Sequence, residues 1–144
     1  MLATFARSIT FVLSISLAAS ASAADSRLKA LFLGDKGHHQ PAARAEQLVP
    51  VMANRGIDIT YTEDVATALR PDALSQYDAL IVYANIDTIA HANAQALLDY
   101  VEKGGGFVPL HCASFCFRNS DAVVALMGAQ FLRHGTGEFE TKVV

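Results

Sequence analysis

Strand-length apolar runs alternate with stretches of helical spacing along this chain, and no other feature restricts its folding as much. Leu28–Leu33, Ala79–Ala84 and the segment "GFVPLH" from Gly106 are nearly unbroken apolar runs. Runs of that length predict strands buried on both faces, as in a parallel sheet. "IDITYTED", from Ile57, instead alternates apolar and polar residues, as a half-exposed strand does. Between the strands, Ala45, Leu48, Val49 and Met52 keep helical spacing after Pro41, which suits a first helical turn. Pro50 predicts a kink in that helix and Gly56 its C-terminal cap. "RPDALSQY" predicts a short helix or turn. The clearest helix follows Thr88, with Ala94, Leu97, Leu98 and Val101 on one stripe, Lys103 in the last turn and Gly104 as the stop.

"SDAVVALMG" predicts a last helix, with Ser120 as N-cap and Gly128 at its end. "GEFETKVV" then begins as a strand and is cut off, so the chain is expected to be a fragment of a longer polypeptide. The order β-α-β-(α)-β-α-β-α-β predicts an α/β fold of three layers, a parallel sheet covered by helices on both faces. Pro109 cannot donate to a strand ladder, which is tolerable only near the end of its strand. The chain's 144 residues suit one domain and are too few for two.

The first part of the chain is expected not to belong to that domain. Arg7 is the only charge before Asp25, an apolar run spans Ile9–Ala19, and Ala21-Ser22-Ala23 supplies small residues at cleavage positions. This is the pattern of a secretory signal peptide over residues 1–23, leaving a domain over 24–144 exported to the periplasm or the medium. The run is shorter than the roughly 20 residues a membrane span needs, so no span is expected after cleavage. Without Arg7 the chain carries 10 Lys and Arg against 14 Asp and Glu, a net of −4, and no basic cluster. A nucleic-acid partner is therefore not expected. Cys112 and Cys116 lie four residues apart, poor geometry for a bridge if both fall on one helical turn, and are expected to be free and buried.

In an open parallel sheet, ligands bind beyond the carboxyl ends of the strands, where strand order reverses. Three loops meet that rule: "GDKGHHQP", "YANID" and "LHCASFC". With a sheet order of 2-1-3-4, they bring Asp35, His38, His39, Asn85, Asp87, His111 and Cys112 to one edge. His38 and His39 are adjacent, so only one of them is expected to face the crevice. The triple glycine from Gly104 precedes its strand and has no Lys-Ser/Thr after it, so it is a turn and not a phosphate loop. "HGTGEF" lacks dinucleotide spacing. The histidine spacing matches no standard zinc motif, so neither metal nor cofactor is expected.

"GHHQP", "YANI" and the block "LLDYVEKGGGFVPLHCASFCFRNS", with "HGTGEF" after it, resemble ThuA-like (trehalose-utilisation) domains over residues 28–144. The resemblance implies a flavodoxin-like fold of the class I glutamine amidotransferase-like superfamily, with sheet order about 2-1-3-4-5. It also implies a role in carbohydrate utilisation, with a small-molecule sugar as ligand, or service as a module fused or docked to a dehydrogenase or haem-binding domain. Amidotransferases carry a cysteine at a strained strand-to-helix turn. Here "PLHCA" sets His111 in that slot and Cys112 one residue later, which implies that glutaminase activity is lost.

On that reading His111 is the candidate base, because imidazole titrates near neutral pH. Cys112 is a nucleophile candidate by type, and with it a cysteine hydrolase or amidase stays open. Asp35, His38, His39, Asn85 and Asp87 are candidate substrate-binding residues. His134 is a further candidate that the pattern does not place, and His91 is expected on the surface.

Overall fold

The computed structural model describes residues 27–133 together with 135 and 137. The signal-peptide reading and the strand expected from "GEFETKVV" lie outside these residues, as does His134.

Four strands form one parallel sheet. β1 spans Leu28–Leu33, β2 Ile57–Thr62, β3 Ala79–Val82 and β4 Gly106–Pro109, in the spatial order β2-β1-β3-β4. β1 has all six residues paired to β2 and its last four paired to β3. Ala30 to Leu33 are buried, as expected of an apolar strand at the sheet's centre. β2 is an edge strand, and its alternating sequence gives partly exposed residues. Leu33 is level with Thr62 and Val82, and Val82 with Pro109, so the carboxyl ends form one rim. Pro109 is the last residue of its strand, where its missing N–H costs no central ladder bond.

Helix α1, Pro41–Ala53, covers one face and packs Ala45 with Phe32 and Ile81. It begins with Pro41 and runs through Pro50, which falls in its last turn. Gly56 follows in the left-handed region (φ 79°) and turns the chain into β2. The other face is covered by α2 (Val65–Ala68), α3 (Pro71–Leu74), α4 (His91–Glu102) and α5 (Asp121–Met127). Their Leu74, Leu97 and Val123, with Leu69 just after α2, bury against Leu31, Leu33, Leu80 and Val82. The sheet is thus covered on both faces, giving the expected flavodoxin-like layering.

Three local details differ from the sequence reading. "RPDALSQY" contributes only α3, and a separate α2 precedes it, capped by the Asp64 carboxylate on the Thr67 N–H. β3 stops at Val82, and the Ala84 carbonyl beyond it accepts the Cys116 thiol. Ser120 is the N-cap of α5 as expected, and only its side-chain bond is missing; its carbonyl accepts the Val124 N–H.

Candidate functional site

The strand order places the loops after β1, β3 and β4 side by side at the rim. After β1, Gly34 must be glycine, since a Cβ there would stand 2.5 Å from the Tyr61 hydroxyl and 2.7 Å from Pro41 Cβ. Asp35 follows, half-buried, and turns its carboxylate onto backbone. Oδ1 accepts the Gly37 N–H at 2.7 Å, an Asx turn, and Oδ2 accepts the Asn85 N–H at 2.5 Å. Asp35 therefore ties the first loop to the third strand's loop and is not among the residues lining the cleft between them.

His38 and His39 come next, and both line that cleft, against the expectation that only one would. Their ring centroids are 4.0 Å apart and tilted, so they share one wall. Gln40 then takes a left-handed backbone (φ 53°) as the chain enters α1.

The loop after β4 supplies the third imidazole. The Leu110 N–H donates to the Val82 carbonyl, and the chain then turns sharply at His111, whose φ is 47°. A side-chain-bearing residue in this region costs about 1 kcal/mol or more and marks a position held by its surroundings. A short 3₁₀ helix, His111–Phe115, begins there, and the Ser114 hydroxyl donates to the His111 carbonyl. The residue at the strained corner is thus His111, with an exposed imidazole, while Cys112 turns inward and is buried.

His39 meets His111 edge to face at 4.8 Å between centroids. Tyr83, just past β3, stacks beside His111 at 6.0 Å and 28°. The cleft holds about 490 Å³ and is lined by the three imidazoles with Asn85, Cys112, Ser114, Phe115 and Phe131. Among the described residues, no Lys, Arg, Asp or Glu is in that lining. His39 is held below the usual imidazole range, first by partial withdrawal from water and then by the charges of His38 and His111, with Asp35 opposing. It therefore stays neutral to lower pH than a free histidine.

Burial works against the thiolate form of both cysteines. Burial pushes the Cys112 thiol up, and that of Cys116 up to about 12. Cys116 instead stitches two loops together, donating to the Ala84 carbonyl at 2.9 Å and accepting the Ile86 N–H at 3.3 Å. We expect iodoacetamide to label neither thiol of the native protein at pH 7 on the timescale of a free cysteine. Labelling of Cys112 as fast as the denatured control would restore the hydrolase reading.

Asp87 does not line the cleft. Its carboxylate accepts from Arg118 Nε at 2.7 Å, in an ion pair outside the cavity. Residues 116–119 lie along the β3–α4 loop, with Phe117 N–H on the Ile86 carbonyl, Arg118 N–H on the Asp87 carbonyl, and Asn119 bonded both ways to Ile89. His91 is exposed at the first position of α4. Among the described residues, no group of three or more His, Cys, Asp or Glu is arranged to hold a metal ion. No described helix is long and apolar enough to cross a membrane.

The sequence reading missed Tyr83, Ser114, Phe115 and Phe131. Only Phe115 left a signal, standing four residues beyond His111, about one helical turn on.

A family model described as trehalose utilisation, ThuA, matches residues 29–144. The crystal structure of a thua-like protein from Bacteroides uniformis is 26% identical, with a TM-score of 0.49. The match covers 61% of this chain and 37% of that one. No curated protein matches.

Proposed function

Because the chain belongs to the ThuA family of trehalose utilisation, we propose that its rim cleft takes a neutral sugar and that His111 moves a proton on it. The edge-to-face contact of His39 and His111 in a cleft without Lys, Arg, Asp or Glu among its described lining residues carries this reading. A sugar offers many hydroxyl donors and acceptors, and imidazole and amide groups answer both. Asn85 and His38 supply such groups in the lining. His111 Nδ1 or Nε2, whichever is unprotonated, takes the proton of a hydroxyl, or of a carbon next to a keto group, and later returns it. A neutral His39 beside it can accept a hydrogen bond without repelling the imidazolium formed. The proposal places this chemistry outside the cytoplasm, supported by the leader pattern of residues 1–23.

Calorimetric titration of the full chain with neutral disaccharides and keto-sugars, against a sugar phosphate, tests the reading. Saturable binding of neutral sugars is expected. The phosphate ester should bind at least about tenfold more weakly, because its charge would be desolvated without a cation in the lining. Silence toward every neutral sugar would overturn the reading and favour the alternative, a non-catalytic module docked to a redox domain.

A further inference from the structure

The Asp87–Arg118 ion pair lies outside the cleft, yet it reaches one of its walls. The Arg118 guanidinium carbon stands 4.0 Å from the centroid of the Phe115 ring. Its Nε is committed to Asp87 Oδ1 at 2.7 Å, and its backbone N–H to the Asp87 carbonyl at 2.8 Å. Phe115 in turn meets Phe131, with ring centroids 6.5 Å apart and tilted by 53°. The Phe131 N–H donates to the Ser114 carbonyl, which keeps the two rings on neighbouring backbone. Phe115 and Phe131 both line the cleft, and Phe115 is half-buried. The cavity therefore combines hydrogen-bonding imidazole and amide groups with aromatic surface whose placement is set from behind by a cation.

We propose that Phe115 is the surface against which the apolar face of a sugar ring packs, and that Asp87 is a positioning residue acting on it through Arg118. This rests on the sugar-binding reading above. A pyranose presents C–H groups on its faces and hydroxyls around its edge. An aromatic ring takes the face and leaves the hydroxyls to the polar lining. Asp87 never needs to touch the ligand. Without its carboxylate, Arg118 loses the partner that fixes its guanidinium over the ring, and the ring loses a preferred orientation.

Calorimetry on the full chain with trehalose, glucose and acyclic sorbitol tests the assignment, with circular dichroism checking each variant's fold. Phe115→Ala should weaken trehalose and glucose about tenfold or more. Phe115→Trp should keep affinity within about threefold, and Phe115→Leu, which fills space without a ring, should fall between. Sorbitol, having no ring face, should be indifferent to all three. Asp87→Asn should weaken trehalose about two- to fivefold, the range of an exposed ion pair, and Asp87→Glu should restore part of it. In the Phe115→Ala background, Asp87→Asn should add nothing, since its effect passes through the missing ring. If the Asp87→Asn effect persists undiminished there, Asp87 contacts sugar directly and the positioning role is overturned. If trehalose binds equally well to Phe115→Ala, the wall is overturned while sugar binding stands. If the wild-type chain binds neither trehalose nor glucose, the cleft reading itself falls, and this inference with it.

Discussion

His111→Asn is expected to lower turnover of a bound sugar about 10²- to 10⁴-fold, the usual contribution of a positioned acid or base. Asparagine is the informative replacement because His111 sits at φ 47°, a backbone region that asparagine tolerates far better than most residues. It keeps the corner and part of the hydrogen bonding, and it removes the group that titrates. The loss should fall on kcat, with KM changed little, since an interaction made only as the proton moves has been deleted. His111→Ala should show the same kinetic loss, with the backbone strain of the corner left in place.

The neighbouring His39 adds a pH signature to the same experiment. Its folded-state pKa lies below its unfolded value near 6.5. For such a group the stabilising contribution is complete above the unfolded value. It is lost as pH falls from there through the depressed folded value, because the unfolded chain takes up the proton first. Urea midpoints of the wild type should therefore drop on the acid side of about pH 6.5, and His39→Gln should flatten that drop. Turnover by His111→Asn equal to wild type would remove the imidazole from the mechanism. A pH profile unmoved by His39→Gln would remove its coupling to the cluster.

Phe117→Ala carries the largest expected stability effect, about 3–5 kcal/mol, as for other buried phenylalanines. Phe117 is 0% exposed within the core shared by β1, β3, α4 and α5. It also adopts φ 58°, so alanine leaves the backbone strain in place while emptying the space. Its neighbours bind the β3–α4 loop through Cys116, Arg118 and Asn119, and lost packing should loosen that seam. With total stabilities of about 5–15 kcal/mol for domains, the variant would stand near its folding limit. Chemical denaturation monitored by circular dichroism reads the effect. A loss under about 1 kcal/mol would mean that the site collapses around the cavity and that Phe117 is not the anchor it appears from its burial.

The same seam shows where local pattern stops informing. Asp87 and Asn85 share a loop, and both are polar residues beyond a strand end, so spacing alone treats them alike. Only Asn85 faces the cleft, because Arg118, 31 residues later, reaches the Asp87 carboxylate. Asp35 is diverted similarly by backbone N–H groups of two loops. In both cases a partner that holds the carboxylate comes from a distant part of the chain.

What the amino-acid order determined by itself is the layered α/β frame. Apolar period, proline at a helix start and glycine at a helix end are local forces, acting within a turn or a strand. They fix the strands, their helices and hence the rim at which His38, His39, Asn85 and His111 arrive. The tertiary structure alone decided which side chains face the cleft there. Both adjacent imidazoles line the cleft, the strained corner exposes His111 and buries Cys112, Tyr83 stacks beside His111, and Phe115 and Phe131 complete the walls. Those outcomes follow from packing and hydrogen bonding between segments 30 to 80 positions apart, a reach at which periodicity carries no information.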